Sequence, residues 1–173
     1  MCLPLRAFPA QPADLSGVGE WQVKAAYLYK FVSYIEWPDH TFAAPDTPIT
    51  IGVLGGDTLA DALTKIVENR TVNGHAVTVR KMKVADPLSG INVLFIGAAD
   101  EAHSGEIIAS LKGQPILVVT ESEQAFARGS MINFVLVEGR VRFEAAPRAA
   151  RQNNLTISAR LLAAAYRVLA ETS

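Results

Sequence analysis

The sequence predicts an α/β protein: a central, mainly parallel sheet with helices on both faces and an antiparallel hairpin at one edge. Three observations predict it. Short apolar runs at 49–54, 93–96 and 115–119 fit strands buried on both faces. Segments with apolar residues at helical spacing separate them, and parallel strands require such crossovers. Near the end, 131–137 and 140–144 flank Glu138-Gly139 and alternate enough to leave one wetter face.

The elements follow in order. From residue 20 to 37, Val23, Tyr27, Leu28, Phe31, Val32 and Ile35 recur at helical spacing, and Pro38 ends the run. The strand at 49–54 leads through the tight turn Gly55-Gly56 into a helix with Leu59, Leu63, Ile66 and Val67 on one stripe. Asn73-Gly74, between β-rich pieces at 70–72 and 76–80, supplies the positive φ angles of a type I′ hairpin. After the strand at 93–96, Asp100 is placed to cap a helix carrying Ile107, Ile108 and Leu111, which Gly113 stops. A long helix from about Leu155 closes the chain, with Ile157, Leu161, Leu162, Ala165, Val168 and Leu169 repeating at helical spacing.

Residues 1–18 read as a residual signal peptide or flexible leader, and 19–173 as one domain. At 173 residues, half of them hydrophobic, the chain suits one core. Its apolar start passes through small residues into a polar, proline-containing stretch, as the tail of a signal peptide does, although most of a complete signal is missing. Export is one reading of this segment and an ordinary flexible N-terminus is the other. No run approaches the roughly 18 apolar residues that span a bilayer, so no transmembrane segment is expected.

Sixteen basic against seventeen acidic residues leave a net charge of −1, without the basic surplus that tracks a phosphate backbone, so nucleic acid is not an expected partner. Cys2 is the one cysteine, which removes intrachain disulfides and Cys-rich metal sites. His40, His75 and His103 stand in no metal-binding spacing and read as solvated surface residues, so neither metal nor cofactor is expected. No G-x-S-x-G surrounds a serine. The acids at 100–101 and 121–123 sit at helix starts, where the helix dipole accounts for them. Catalytic residues are therefore none, and the chain is not expected to be an enzyme. A pocket at the carboxyl ends of the parallel strands, near Gly55, Gly56 and Thr120, gives the alternative of a small-ligand receptor. The turn there is not G-x-G-x-x-G, and Asp57 is adverse to an anion. A hydrolase site assembled from distant residues is the last alternative.

Two elements carry more than a core needs. Trp21, Tyr27, Tyr29, Phe31 and Tyr34, closed by Glu36-Trp37-Pro38, cover more of a helix than one buried stripe; they either reach a partner or pack under a neighbouring loop. The strand face of Arg140, Arg142 and Glu144 either grips an acidic group, since arginine offers a two-pronged donor, or guards a sheet edge.

These same elements carry a family resemblance. VKAAYLYKFVSYIEWP at 23–38, IGVLG at 51–55, FARGSMINF at 126–134, VRFE at 141–144 and NLTISARLL at 154–162 occur in the order seen in the YfiR-like family of periplasmic proteins. The resemblance covers nearly all of residues 20–168. It implies an exported α/β regulator, commonly a homodimer, that represses a membrane-bound diguanylate cyclase by binding the cyclase's periplasmic domain, limiting cyclic di-GMP and biofilm. Tyr29, Tyr34, Trp37, Arg142 and Glu144 are then the expected partner-binding residues. Two departures from the pattern matter, one in the cysteines and one in the residues around the last hairpin. Members that respond to oxidation pair cysteines within the folded domain, and this chain has none there. Ala145-Ala146 replaces a usual Ile-Asn, and Ser130 stands where a second glycine is common.

Overall fold

A computed structural model describes residues 16–170. The elements run α1 (Ser16–Val32), β1 (Ile35–Glu36), β2 (Ile49–Leu54), α2 (Asp57–Val67), β3 (Thr71–Val72), β4 (His75–Met82), β5 (Val93–Ile96), α3 (Glu101–Ser110), β6 (Leu117–Thr120), α4 (Glu123–Ala127), β7 (Ile132–Val137), β8 (Arg140–Ala145), α5 (Pro147–Gln152), β9 (Thr156–Ile157), α6 (Ala159–Ala164) and β10 (Arg167–Val168). Eight strands form one sheet in the order β10-β8-β7-β6-β5-β2-β4-β3, and β1 pairs with β9 in a small antiparallel sheet. The pairs β7–β8 and β3–β4 are antiparallel, and the other neighbours in the large sheet are parallel.

The order has a switch point between β2 and β5. From β2 the chain steps one way to β4, and from β5 it steps the other way through β6 to β7. Right-handed crossovers then put the connecting helices on opposite faces. One face is packed by Leu28 and Phe31 of α1, Leu59 and Leu63 of α2, Ala150 of α5 and Leu161 of α6. The other is packed by Ile107 and Leu111 around α3. The apolar runs at 49–54, 93–96 and 117–120 are buried almost throughout, as a two-sided sheet demands. Both hairpin turns are type I′: Asn73 and Gly74 have φ of 51° and 84°, Glu138 and Gly139 of 50° and 74°.

Two elements differ from the sequence expectation. The first helix ends at Val32, where Ser33 and Tyr34 make short-range bonds back to Lys30 and Phe31. Ile35 and Glu36 then pair with Ile157 and Thr156, and the Tyr34 carbonyl accepts from Ser158 N–H. Long-range pairing has overridden a local period. The long closing helix is likewise three pieces, β9, α6 and β10. Ser158 caps α6 through Leu161 N–H at 3.2 Å, and the spacing of Ile157, Leu161 and Val168 is a coincidence of separate packings. The preceding helix α5, started by Pro147, has no counterpart in the sequence expectation.

Candidate functional site

The carboxyl ends of β5 and β6 open into a cleft of about 610 Å³ between the start of α1 and the β7–β8 hairpin. Lys24 is one of its buried lining residues. On α1, Lys24, Leu28 and Phe31 share the buried stripe, and Phe31 stacks against Phe134 at 5.8 Å and meets Phe143 edge-on at 5.1 Å. That aromatic packing points Lys24 inward one turn before the helix leaves the sheet. Its ammonium donates to Glu121 Oε2 at 2.7 Å and to Glu20, and the Lys24 and Glu121 side chains are only 6% and 8% exposed. Glu121 Oε1 accepts from Ala98 N–H at 2.7 Å, tying the loop after β5 to the end of β6. Burial acts to lower the Lys24 pKa, but the hydrogen bonds to Glu121 and Glu20 and their charges outweigh it and leave it raised.

A second set of polar groups lies on the α3 side of the sheet. Thr120, Asn133 and Glu144 are register neighbours across β6, β7 and β8. Thr120 Oγ1 donates to Asn133 Oδ1 at 2.9 Å and lies 2.8 Å from Ser130 Oγ, which bonds the Ile132 carbonyl at 2.9 Å. Asn133 Nδ2 approaches Glu144 Oε2 at 3.4 Å, and Arg167 on β10 donates to Glu144 Oε1 at 2.6 Å. Ser130 thus adds a hydroxyl to a buried network. Each buried polar group gains a partner, without which burial would be costly.

The structure divides the expected site residues. Glu144 and Thr120 come together through Asn133. Arg142 lies two residues before Glu144, exposed, with its guanidinium 6.0 Å from the Tyr166 ring. Tyr29 is half-buried with Arg70 over its ring at 5.5 Å. Tyr34 is exposed in the turn after α1, and Trp37 is half-buried against Phe42 at 6.1 Å. No described contact joins these three to the hairpin. Gly55 and Gly56 line a different cleft, of about 830 Å³, with Asp57, Lys81, Lys83 and Asp100. There Gly55 has φ of 71°, a Cβ on Gly97 would lie 2.3 Å from the Gly55 carbonyl oxygen, and one on Gly55 would lie 2.8 Å from Asp100 Oδ2. The Asp100 carboxylate therefore sits over the turn that would cradle an anion.

Three sequence readings need correction. Asp100 makes no side-chain cap to α3. Glu121 is not a solvated helix-start acid: Ser122 caps α4, and Glu121 is drawn inward by Lys24 and Ala98. His75 is not simply solvated, since Nδ1 lies 2.7 Å from the Thr47 carbonyl and its ring stacks on Phe42 at 4.6 Å. Lys24, Glu121, Asn133 and Arg167 were absent from the expected site. Their signal was polarity at the edge of, or inside, apolar runs, as in MINFVLV at 131–137.

The lining of the charged cleft contains no histidine or cysteine, and its two buried hydroxyl neighbours, Thr120 and Ser130, bond to an amide and a carbonyl, with no base beside them. Among the described residues no group of three or more His, Cys, Asp or Glu is arranged to hold a metal ion. No described helix is long and apolar enough to cross a membrane. Ion pairs at the carboxyl ends of the strands in a doubly wound sheet make this an α/β protein with a charged cleft at the usual place for a site in such sheets. The chain belongs to the YfiR/HmsC-like family, whose model matches residues 21–166. That family is one of regulatory proteins that are periplasmic in general. The fold is also similar to the crystal structure of a conserved domain protein from Vibrio cholerae O1 biovar eltor, with a TM-score of 0.52 and 13% identity. The match covers 86% of this chain and 60% of that one.

Proposed function

We propose that this protein is a periplasmic repressor that binds the periplasmic domain of a membrane-bound diguanylate cyclase and so limits cyclic di-GMP and biofilm formation. Family membership across residues 21–166 carries this reading. The charged groups of the cleft are engaged with one another, Lys24 with Glu20 and Glu121 and Arg167 with Glu144, which is consistent with holding a partner in place of turning over a substrate. In this reading residues 1–18 serve export, residues 19–173 form the working domain, and the protein acts as a homodimer. The partner-binding set combines Arg142 and Glu144 on β8 with Tyr29, Tyr34 and Trp37 around the end of α1. Co-purification with the cyclase's isolated periplasmic domain tests it: a stable complex is expected, and no binding at micromolar concentrations would sink the reading.

The cleft beside Thr120 and Asn133 favours a second reading, a small-ligand receptor feeding a membrane sensor. A thermal-shift screen of periplasmic metabolites separates the two, because a ligand specific for the folded state raises the midpoint by mass action.

A further inference from the structure

The β7–β8 hairpin reaches past the sheet. Register places Thr120, the last residue of β6, beside Asn133, so Val135 to Val137 and their partners Arg140 to Arg142 extend beyond the carboxyl ends of the parallel strands. On its outer side β8 has a strand beside it only at Glu144 and Ala145, which pair with Arg167 and Val168. Along Arg140, Val141 and Arg142 no strand lies on that side among the described residues. The chain that would continue β10 in that direction is coiled instead into α6.

Open strand edges carry main-chain donors and acceptors that template pairing, and proteins commonly guard them with charge. Here the setting is mixed. Arg140 and Arg142 are exposed and make no ion pair among the described residues, whereas Arg167 is engaged by Glu144. Beside them Tyr166 is 53% exposed, and Val168 and Leu169 are exposed as well. The edge therefore offers the main-chain groups of Val141, the exposed guanidiniums of Arg140 and Arg142, the latter over the Tyr166 ring at 6.0 Å, and apolar side chains nearby.

We propose that the outer edge of β8 at Arg140 to Arg142, with the shelf of Tyr166, Val168 and Leu169, docks an extended acidic segment of the partner protein as an added strand. Val141, whose main-chain groups face away from β7, supplies the pairing that holds such a segment, and carboxylates on it meet the arginine forks. A second copy of this chain is a poor occupant, because joining two such edges sets arginines against arginines, and like charges directly opposite are destabilising. This inference rests on the reading of the protein as one that holds a partner.

Its test does not need the cyclase. A synthetic hexapeptide alternating glutamate and valine, and a counterpart alternating lysine and valine, are titrated into the full chain and followed by amide NMR. The acidic peptide is expected to perturb amides at 140–142 and 166–169, and the lysine peptide to leave them unmoved. The pair Arg140→Glu and Arg142→Glu, on exposed side chains, is expected to weaken the acidic peptide by about tenfold or more while keeping the folded spectrum. Equal binding of both peptides, no perturbation at millimolar acidic peptide, or loss of self-association in the Arg→Glu variant would each overturn the proposal. Failure of the cyclase domain to bind, with the acidic peptide still binding, would instead bring down the regulatory reading alone.

Discussion

Two lysines at the carboxyl ends of the parallel strands hold carboxylates at the same distance, 2.7 Å, in opposite settings. Lys24 reaches Glu121 with side chains 6% and 8% exposed, whereas Lys81 reaches Asp61 with side chains 51% and 63% exposed. The first pair ties α1 to the loops after β5 and β6; the second joins α2 to β4 in open solvent. Around the second, the switch point of the sheet is closed by glycines, with Gly97 packed on the Gly55 carbonyl. Contact length alone therefore says little about consequence. Burial decides it, because removing one partner of a buried pair leaves an uncompensated charge, while an exposed pair is rehydrated.

The largest expected effect follows from that difference. Lys24→Ala should cost about 3–5 kcal/mol in urea unfolding, since Glu121 and Glu20 lose their shared cation. Adding Glu121→Gln to that variant should recover part of the loss. A cost no larger than that of an ordinary surface substitution would break the comparison. Next comes Gly97→Ala, whose methyl would meet backbone at 2.3 Å and should cost about 1–3 kcal/mol, read by the same unfolding experiment. An unchanged midpoint there would mean that the turn gives way freely.

Alkaline pH gives a smaller, graded effect. The folded-state pKa of Lys24 lies above its ordinary value, so its contribution is fully present below the unfolded pKa, about 10.4, and is lost as pH rises through the folded value. The stability gap between the wild type and Lys24→Met should therefore be constant well below the unfolded pKa and narrow as pH rises past it. A gap independent of pH would show that the ammonium's charge is not what matters. Last, Lys81→Ala should leave the thermal midpoint unchanged within error, because its ion pair is open to solvent.

Much of the fold was legible in the sequence for a physical reason. The runs 49–54, 93–96 and 115–119 are short and apolar, which a doubly covered strand accommodates; Asn73-Gly74 marks its turn by backbone preference, and the hairpin around Glu138-Gly139 by the alternation of its flanking strands. The end of α1 and the C-terminal segment were not legible, because Ile35 and Ile157 fit a helical period and are claimed by each other across more than a hundred residues. The site was legible only in fragments. Thr120 and Glu144 stood out as residues, but their grouping depends on register across three strands and on Asn133, a polar residue hidden in an apolar run. Lys24 was hidden by its neighbours: a lysine among Tyr27, Leu28 and Phe31 reads as the polar side of a helix until Glu121 is seen opposite it.

The proposed regulatory role is tested most directly by cellular cyclic di-GMP, quantified by mass spectrometry in a strain lacking this gene and in the same strain complemented with the wild type or with Arg140→Glu and Arg142→Glu. The account predicts that cyclic di-GMP rises on deletion, returns to its starting level with the wild type, and stays high with the doubly substituted protein despite normal expression. A level that is unchanged or lower on deletion would contradict it.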